Sequence, residues 1–247
     1  MFLIPLFSSY LSTNKIGHRI EYFKSVDSTN TEIYRMFQNN IIQSGDVIIA
    51  DKQTSGRGRR DNLWHSKSGQ SITTSIILEN NDKDLNKKLP LIAGVAIVKG
   101  IKQLTNVECD LKWPNDVMYN SKKLGGILIE KKNNHFIIGI GLNVNEDKLE
   151  ESIQSSTLSL RLIINRIIER ETLLAFIFNH FEILLSKSLS SIIKEWESLC
   201  THMHRTIHFH QSGEFINAKF LGLNQYGEAN IEIGGEKKAL SSGVIEL

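Results

Sequence analysis

Apolar and polar positions follow two rhythms along this chain, one typical of strands and one typical of helices. Short apolar or β-branched runs predict strands at residues 22–26, 47–50, 71–78, 126–129 and 136–138. Apolar positions three and four residues apart predict helices at residues 89–104, 171–185 and 192–199. Strands and helices that alternate in this way indicate a mixed α/β domain.

A further helix is predicted directly after the first strand. Thr29 and Glu32 have the spacing of a capping box, in which two side chains satisfy free backbone N–H groups of the first turn. Ile33, Met36 and Phe37 then follow at helical spacing. We therefore expect an amphipathic helix that Thr29 caps.

Beyond Cys200 the pattern changes to short β-rich runs separated by glycines, at Gly213, Gly222, Gly227, Gly234 and Gly235. About four or five strands in so short a segment are typical of a small barrel. We place a domain boundary near Thr201, which gives a main domain at residues 17–200 and a barrel at residues 201–247. Residues 1–16 form an N-terminal extension to which the pattern assigns no role.

Composition describes an ordinary globular chain with little net charge. Its 247 residues suit one large domain, or one domain with a small appendage. The chain has 29 Lys and Arg against 27 Asp and Glu, a formal net charge of +2. This balance gives no support to a nucleic-acid-binding protein, which needs a broad basic face. Two cysteines, Cys109 and Cys200, are too few for a disulfide framework and favour a reducing compartment.

The apolar start of the chain, residues 1–7, does not have the features of a secretory signal. It lacks a basic first segment and a small-residue cleavage site, and Pro5 interrupts it. No apolar run reaches the ~20 residues that span a bilayer. We therefore expect a cytoplasmic protein without membrane association.

Two blocks combine cations and glycines in a way that a buried strand does not need. Gly56-Arg57-Gly58-Arg59-Arg60 follows a predicted strand, so its backbone can approach a ligand while its guanidinium groups fork onto phosphate or carboxylate. The block matches neither the Walker A loop nor the dinucleotide-binding fingerprint. A solvated basic turn is the alternative interpretation.

The second block runs from Lys112 to Asp116 around Trp113 and Pro114. Pro114 biases Trp113 towards an extended conformation, which predicts the rigid end of a strand. Asp116 has the chemistry to hold a magnesium ion that bridges nucleotide phosphates, and Lys112 to offset phosphate charge. A salt bridge that stabilises a hairpin is the alternative.

Glycines accompany a further lysine and a further strand. Lys123 precedes Gly125 and Gly126, whose missing side chains leave room for a ligand, although an exposed turn lysine is the simpler interpretation. Gly139 and Gly141 weaken a strand unless something must approach it closely.

Five motifs in this chain resemble, in order and spacing, the successive motifs of the biotin protein ligases. They are Asp27-Ser28-Thr29-Asn30, Gln53 with the Gly56 block and Trp64, Lys112-Trp113-Pro114-Asn115-Asp116, Lys123-Leu124-Gly125-Gly126-Ile127-Leu128-Ile129-Glu130, and residues 139–145. The resemblance extends from about residue 20 to the C-terminus. It implies a class II synthetase-like α/β catalytic domain with a mixed sheet, followed by a small SH3-like β-barrel.

The resemblance also implies an activity. Members of this family form biotinyl-5′-AMP from biotin and ATP with Mg²⁺, and then transfer biotin to a lysine of a biotin carboxyl carrier domain of a carboxylase. Both steps develop negative charge at a fixed place, so catalysis depends on positioning and electrostatic stabilisation.

Site residues follow from the resemblance, motif by motif. Biotin would be bound by Ser28, Thr29, Gln53, Gly56, Arg57, Lys123, Gly126 and Gly139. ATP would be bound by Arg59, Arg60, Trp64, Lys112, Asn115, Asp116 and Asn143, with Asp116 also holding the metal. Lys123 would be the central catalytic residue, at the carboxylate and the reacting phosphate. Arg57 would be the second catalytic residue, in a loop that folds over biotin and its adenylate.

The chain departs from the family pattern in two places. Its first ligase motif begins at Asp27, which leaves no room for the winged helix-turn-helix that many members carry. We therefore expect the short monofunctional type, which does not bind DNA, as a monomer or a homodimer. Met203-His204-Arg205 stands where the family often has a glycine before the first barrel strand.

Three other classes are open alternatives. A lipoate–protein ligase shares the fold and the acyl-adenylate chemistry, but the Gly56 and Lys112 blocks resemble the biotin enzymes. A nucleic-acid-binding module would use the arginines and Trp64. A metal protein would use Cys200, His202, His204, His208 and His210. Their spacing fits no standard zinc pattern, and ordinary surface and core positions also account for these histidines.

Overall fold

The large sheet dominates this computed structural model, which describes residues 1–211 and 214–246. Its strands are β1 (Ile20–Phe23), β2 (Val47–Ala50), β3 (Ile72–Glu79), β4 (Asp110–Lys112), β5 (Asp116–Tyr119), β6 (Lys122–Lys132) and β7 (His135–Leu142). They form one seven-stranded sheet in the order β1-β2-β3-β7-β6-β5-β4. β1 and β2 are parallel, and every other neighbouring pair is antiparallel. The predicted mixed α/β fold is confirmed.

The α-helices of the described residues are α1 (Ile4–Tyr10), α2 (Thr29–Gln38), α3 (Leu85–Thr105), α4 (Leu160–Ile164), α5 (Arg170–Leu185) and α6 (Leu189–Ser198). A continuous apolar core lies between one face of the sheet and the helices that cover it. α3 packs on the sheet, and α5 and α6 pack on α3. The crossing of α3 and α5 is close, since a Cβ at Gly100 would lie 2.6 Å from Cγ1 of Ile177. A larger residue at Gly100 would therefore separate the two helices.

On the opposite face α2 packs over β2, β3 and β7. Ile33 and Met36 of α2 pack there on Ile48, Ile77 and Ile137. Because side chains alternate along a strand, the residues of β7 on either side of Ile138 turn to this second face. β6 and the far end of β7 are left without a helix above them.

The predicted helices and strands are confirmed with shifts of a few residues at their ends, but the capping box is wrong. The N-cap of α2 is Ser28, and no side-chain hydrogen bond caps this helix in the described structure. Oγ1 of Thr29 instead donates to Oε1 of Gln53 over 3.1 Å. Glu32 is engaged by Arg35. Both partners of the expected box are therefore used elsewhere.

The C-terminal part forms a second, antiparallel sheet. Its strands are β8 (Thr206–Gln211), β9 (Glu214–Leu223), β10 (Ala229–Ile233), β11 (Glu236–Leu240) and β12 (Ile245–Glu246), in the order β11-β10-β9-β8-β12. Ile207, Phe220, Ala229 and Ile231 are fully buried in it. The sheet meets α6 where the backbone N–H of Leu223 donates to Oε1 of Glu197 over 2.7 Å.

Residues 1–16 pack on α5. Phe7 is fully buried, and its ring meets that of Phe178 edge-on with the centroids 5.9 Å apart. The backbone N–H of Leu3 donates to Oε1 of Glu171 over 2.8 Å. This segment contributes to the core, while the division of the chain at residues 16 and 200 stays a prediction. Among the helices of the described residues, none has the length and apolar composition needed to cross a bilayer.

Candidate functional site

A cavity of about 180 Å³ opens on the face of the large sheet that α2 partly covers. Its floor is formed by β6 and β7, and one wall by the first turn of α2. Residues 56–64, which we name the arginine loop, cover it. The turn between β4 and β5 closes the far end, together with Val244 and Ile245 of the C-terminal part. The cavity is thus assembled from segments that are distant in sequence.

All but two of the site residues predicted from sequence line this cavity. Those that do are Ser28, Thr29, Gln53, Arg57, Arg59, Arg60, Trp64, Lys112, Asn115, Asp116, Lys123, Gly126 and Gly139. Gly56 lies behind the lining, where its carbonyl accepts from the N–H of Trp64 over 2.9 Å. Asn143 is buried beside it, and its Nδ2 donates to the carbonyl of Leu158 over 3.2 Å. The individual role of each residue stays a prediction.

The end of the cavity beside α2 is a buried polar wall. Oε1 of Gln53 accepts from both the backbone N–H and the hydroxyl of Thr29, over 2.7 and 3.1 Å. Oγ of Ser75 lies 2.7 Å from Oγ1 of Thr29. Hydrogen bonds among buried groups hold these side chains in fixed positions. The wall therefore offers oriented polar atoms to an uncharged polar ligand group.

Trp64 lies flat on the glycines of the floor. A Cβ at Gly141 would be 2.6 Å from Cζ2 of Trp64, and a Cβ at Gly126 would be 3.7 Å from its Cζ3. The indole Nε1–H of Trp64 is buried and has no hydrogen-bond partner among the described residues. A buried unpaired donor costs free energy, and a ligand acceptor in the cavity would satisfy it. These glycines leave room for Trp64 as well as for a ligand.

Lys123 and Asp116 form an ion pair at the other end of the cavity. Nζ of Lys123 lies 2.7 Å from Oδ1 of Asp116. Next to this pair, Nδ2 of Asn115 donates to the carbonyl of Ile127 over 2.9 Å, and its Oδ1 accepts from Nη1 of Arg59 over 3.3 Å. Asp116 is thus in an ion pair with Lys123, and this pair lies inside the cavity.

Positive charge predominates at this end. Burial lowers the pKa of Arg59, and the charge of Arg60 lowers it further, whereas Asp116 opposes the shift. The guanidinium group of Arg59 is partly buried and is repelled by that of the exposed Arg60. An anion that accepts hydrogen bonds from both would relieve this repulsion. The cavity thus combines an uncharged polar end with an anion-attracting end.

Several residues of the site had no predicted role. Asn30 and Glu130 stand in the recognised motifs, yet only the structure shows that Glu130 accepts from Asn30 and Arg57. Val244 and Ile245 carry no chemical signal in the sequence, since they are apolar residues like many others. Their place in the lining follows from the packing of the C-terminal sheet.

The cysteine and histidines near residue 200 form a buried pair rather than a gathered cluster. Sγ of Cys200 lies 3.3 Å from Nδ1 of His202, and the His202 ring packs against Trp196 and Phe220. His204 and His208 are exposed, and the side chain of His210 lies outside the described part. Across the described residues, no group of three or more His, Cys, Asp or Glu is arranged to hold a metal ion.

A mixed sheet with a cation-rimmed cavity under an arginine loop, followed by a small antiparallel sheet, defines the class of biotin and lipoate ligases. The chain belongs to the biotin/lipoate A/B protein ligase family, whose model matches residues 22–145.

Relatives within the family are named as biotin protein ligases. The chain is 32% identical over 250 residues to the bifunctional ligase/repressor BirA of Bacillus spizizenii, covering 96% of this chain and 76% of the relative. It is 32% identical over 133 residues to the biotin–[acetyl-CoA-carboxylase] ligase of Mycobacterium tuberculosis, covering 52% of this chain and 50% of the relative. The biotin protein ligase from Aquifex aeolicus, solved in complex with biotin and ATP, superposes with a TM-score of 0.81 at 29% identity, covering 93% and 98% of the two chains. The predicted family is confirmed.

Proposed function

We propose that this chain activates biotin with ATP and transfers it to a lysine of a biotin carboxyl carrier domain of a carboxylase. One observation carries the proposal: all but Gly56 and Asn143 of the residues expected for biotin and for the nucleotide line a single cavity, with a polar end and a cationic end. The Aquifex aeolicus relative binds biotin and ATP by its title, and the Mycobacterium tuberculosis relative is a biotin–[acetyl-CoA-carboxylase] ligase by name.

The proposed reaction has two steps. A carboxylate oxygen of biotin attacks the α-phosphorus of ATP, the bond to the β-phosphate oxygen breaks, and pyrophosphate leaves. A neutral lysine amine of the carrier domain then attacks the acyl carbon of biotinyl-5′-AMP. An amide forms, AMP leaves, and the amine loses a proton. Each step places negative charge near the phosphate, where fixed cations stabilise it best.

Lys123 is the cation placed for both steps. Its ammonium group lies in the cavity beside Asp116, so it is held in place by the ion pair. Arg59 and Arg60 would meet the phosphates, and Asp116 would hold Mg²⁺. The ion would supply further screening of phosphate charge.

Biotin would lie with its ring end against the polar wall. Gln53, Thr29 and Ser28 would hydrogen-bond the ureido group, and the arginine loop would exclude water from the mixed anhydride. In this proposal residues 17–200 are the catalytic domain, and residues 201–247 are a small barrel that covers the nucleotide end. The protein would act in the cytoplasm as a monomer or a homodimer.

Pyrophosphate release without an acceptor tests the proposal. Purified protein receives ATP and Mg²⁺ with either biotin or lipoate. We expect a burst of about one pyrophosphate per chain with biotin and none with lipoate. Lys123→Ala should slow the burst at least about a hundredfold, because a charge-stabilising group is lost. Lys102→Ala, at an exposed position of α3, is the matched control and should leave the burst unchanged. A burst with lipoate alone, or none at all, would contradict the proposal.

A further inference from the structure

Arg57 is held at the edge of the cavity by a carboxylate of the sheet. Its Nη2 donates to Oε2 of Glu130 on β6 over 3.1 Å, and to Oγ1 of Thr31 in the first turn of α2 over 3.2 Å. The side chain of Glu130 is 17% exposed and that of Arg57 is 47% exposed. The ion pair therefore joins a covering loop to a half-buried point of the sheet.

Glu130 is itself fixed by a buried amide. Nδ2 of Asn30 donates to Oε2 of Glu130 over 2.7 Å, and Oδ1 of Asn30 accepts from the hydroxyl of Ser75 over 2.6 Å. Asn30 is buried against Gly139, where a Cβ would lie 3.2 Å from its Nδ2. Because three separate elements hold Asn30, the Glu130 carboxylate has little freedom to move.

This arrangement assigns different tasks to the arginines of the loop. The charge of Arg57 is balanced by Glu130, so its guanidinium group is engaged in holding the loop down. Arg59 and Arg60 lie further along the loop and line the cavity, where burial and then the charge of Arg60 lower the pKa of Arg59. The first arginine is therefore suited to anchoring, and the later ones to binding an anion.

We infer that Glu130, held by Asn30, is a positioning residue that anchors Arg57 and keeps the arginine loop folded over the bound acyl-adenylate. The adenylate part of this inference rests on the proposed function. The anchoring part does not, since it rests on the contacts of Glu130 with Arg57 and Asn30.

Trypsin tests the anchor without any substrate, because the arginine loop contains three arginines. Glu130→Gln keeps an acceptor for Asn30 but removes the charge that Arg57 needs. We expect cleavage within residues 56–64 to become about fivefold faster, as for the loss of a partly exposed ion pair. Glu108→Gln is the matched control, since it removes the charge of the exposed Glu108–Lys102 pair far from the loop. Equal cleavage of Glu130→Gln and wild type would overturn the inference.

Retention of the intermediate is the second readout. Protein loaded with biotinyl-5′-AMP is separated from free ligand, and release is followed over time. Glu130→Gln should release it about fivefold faster while forming it within twofold of the wild-type rate, because the anchor touches no reacting atom. The exchanged pair Arg57→Glu with Glu130→Arg should recover part of the retention. Fast cleavage with wild-type release would overturn the retention role. A wild type that forms no adenylate would count against the proposed function, and the trypsin result alone would then decide the anchor.

Discussion

The two faces of the large sheet are built from the same strands and differ in what they bury. In β7, Ile138 and Ile140 belong to the apolar core beneath α3. Gly139 and Gly141, which alternate with them, lie under Asn30 and Trp64. A strand whose side chains alternate can thus supply bulk to one face and open space to the other.

The difference teaches where stability and activity should be separable. The helix-covered face excludes water from large apolar side chains, which is the main source of folding free energy. The cavity face gives up part of that burial for polar groups, cations and the arginine loop that covers them. Substitutions on the helix-covered face should lower stability and leave the activity of the folded fraction unchanged. Substitutions on the cavity face should lower activity and leave stability nearly unchanged.

The largest effect on stability should come from Phe178→Ala. Phe178 is fully buried on α5 against Phe7, so its truncation leaves a cavity and costs about 3–5 kcal/mol of unfolding free energy. Denaturant unfolding measures this loss, and the pyrophosphate burst per folded molecule should match wild type. Ile183→Ala, at an exposed position of the same helix, should change stability by less than about 0.5 kcal/mol. A smaller pyrophosphate burst per folded molecule of Phe178→Ala would show that stability and activity are not separable between the two faces.

Acid should produce the next largest effect, through a residue away from the cavity. Burial, and then the charges of Lys112 and Arg205, lowers the pKa of His202 from 6.5 to about 4. Between these values the unfolded chain takes up a proton that the folded chain does not. Stability that is fully present above pH 6.5 is therefore lost as the pH falls towards 4, by about 3 kcal/mol. Denaturant unfolding at several pH values should show this dependence of the unfolding free energy on pH. The dependence should be weaker in His202→Phe and unchanged in His204→Gln.

The smallest effect should come from Gly141→Ala on the cavity face. The new methyl group would lie 2.6 Å from Cζ2 of Trp64, so the indole must shift. Because Trp64 belongs to a loop, the loop moves and the sheet does not. We expect the burst rate with biotin to fall about tenfold and the unfolding free energy to change by less than about 1 kcal/mol. A loss of stability without a loss of burst rate would contradict the prediction that Gly141 serves the cavity and not the core.

Sequence patterns predicted the elements well where burial alone decides. β2 has the predicted bounds, Val47–Ala50, because a fully buried strand reads as a continuous apolar run. α3 begins earlier than predicted, at Leu85, because its first turn includes polar residues that carry no apolar period. The end of a helix is set by local hydrogen bonds and not by periodicity.

Sequence patterns failed where a distant contact decides. The capping box at Thr29 has the right spacing, but the hydroxyl is taken by Gln53, which a local pattern does not include. Gly125 was expected to leave room for a ligand. A Cβ there would instead lie 2.8 Å from the carbonyl of Gly141, so the neighbouring strand requires this glycine. The position of the site could be predicted from its motifs. The hydrogen bonds and ion pairs between its residues join distant parts of the sequence, so only the structure shows them.

Both cysteines of the chain, Cys109 and Cys200, are buried, and burial raises the pKa of each thiol to about 12. Since the thiolate is the reactive form, these groups are inert towards alkylating reagents at neutral pH. The two native cysteines of the folded chain therefore do not compete with an introduced cysteine for a thiol-reactive label. Leu63 lies in the arginine loop and is 68% exposed, so a fluorophore attached through Leu63→Cys would be the single label and would follow the opening of the loop in real time.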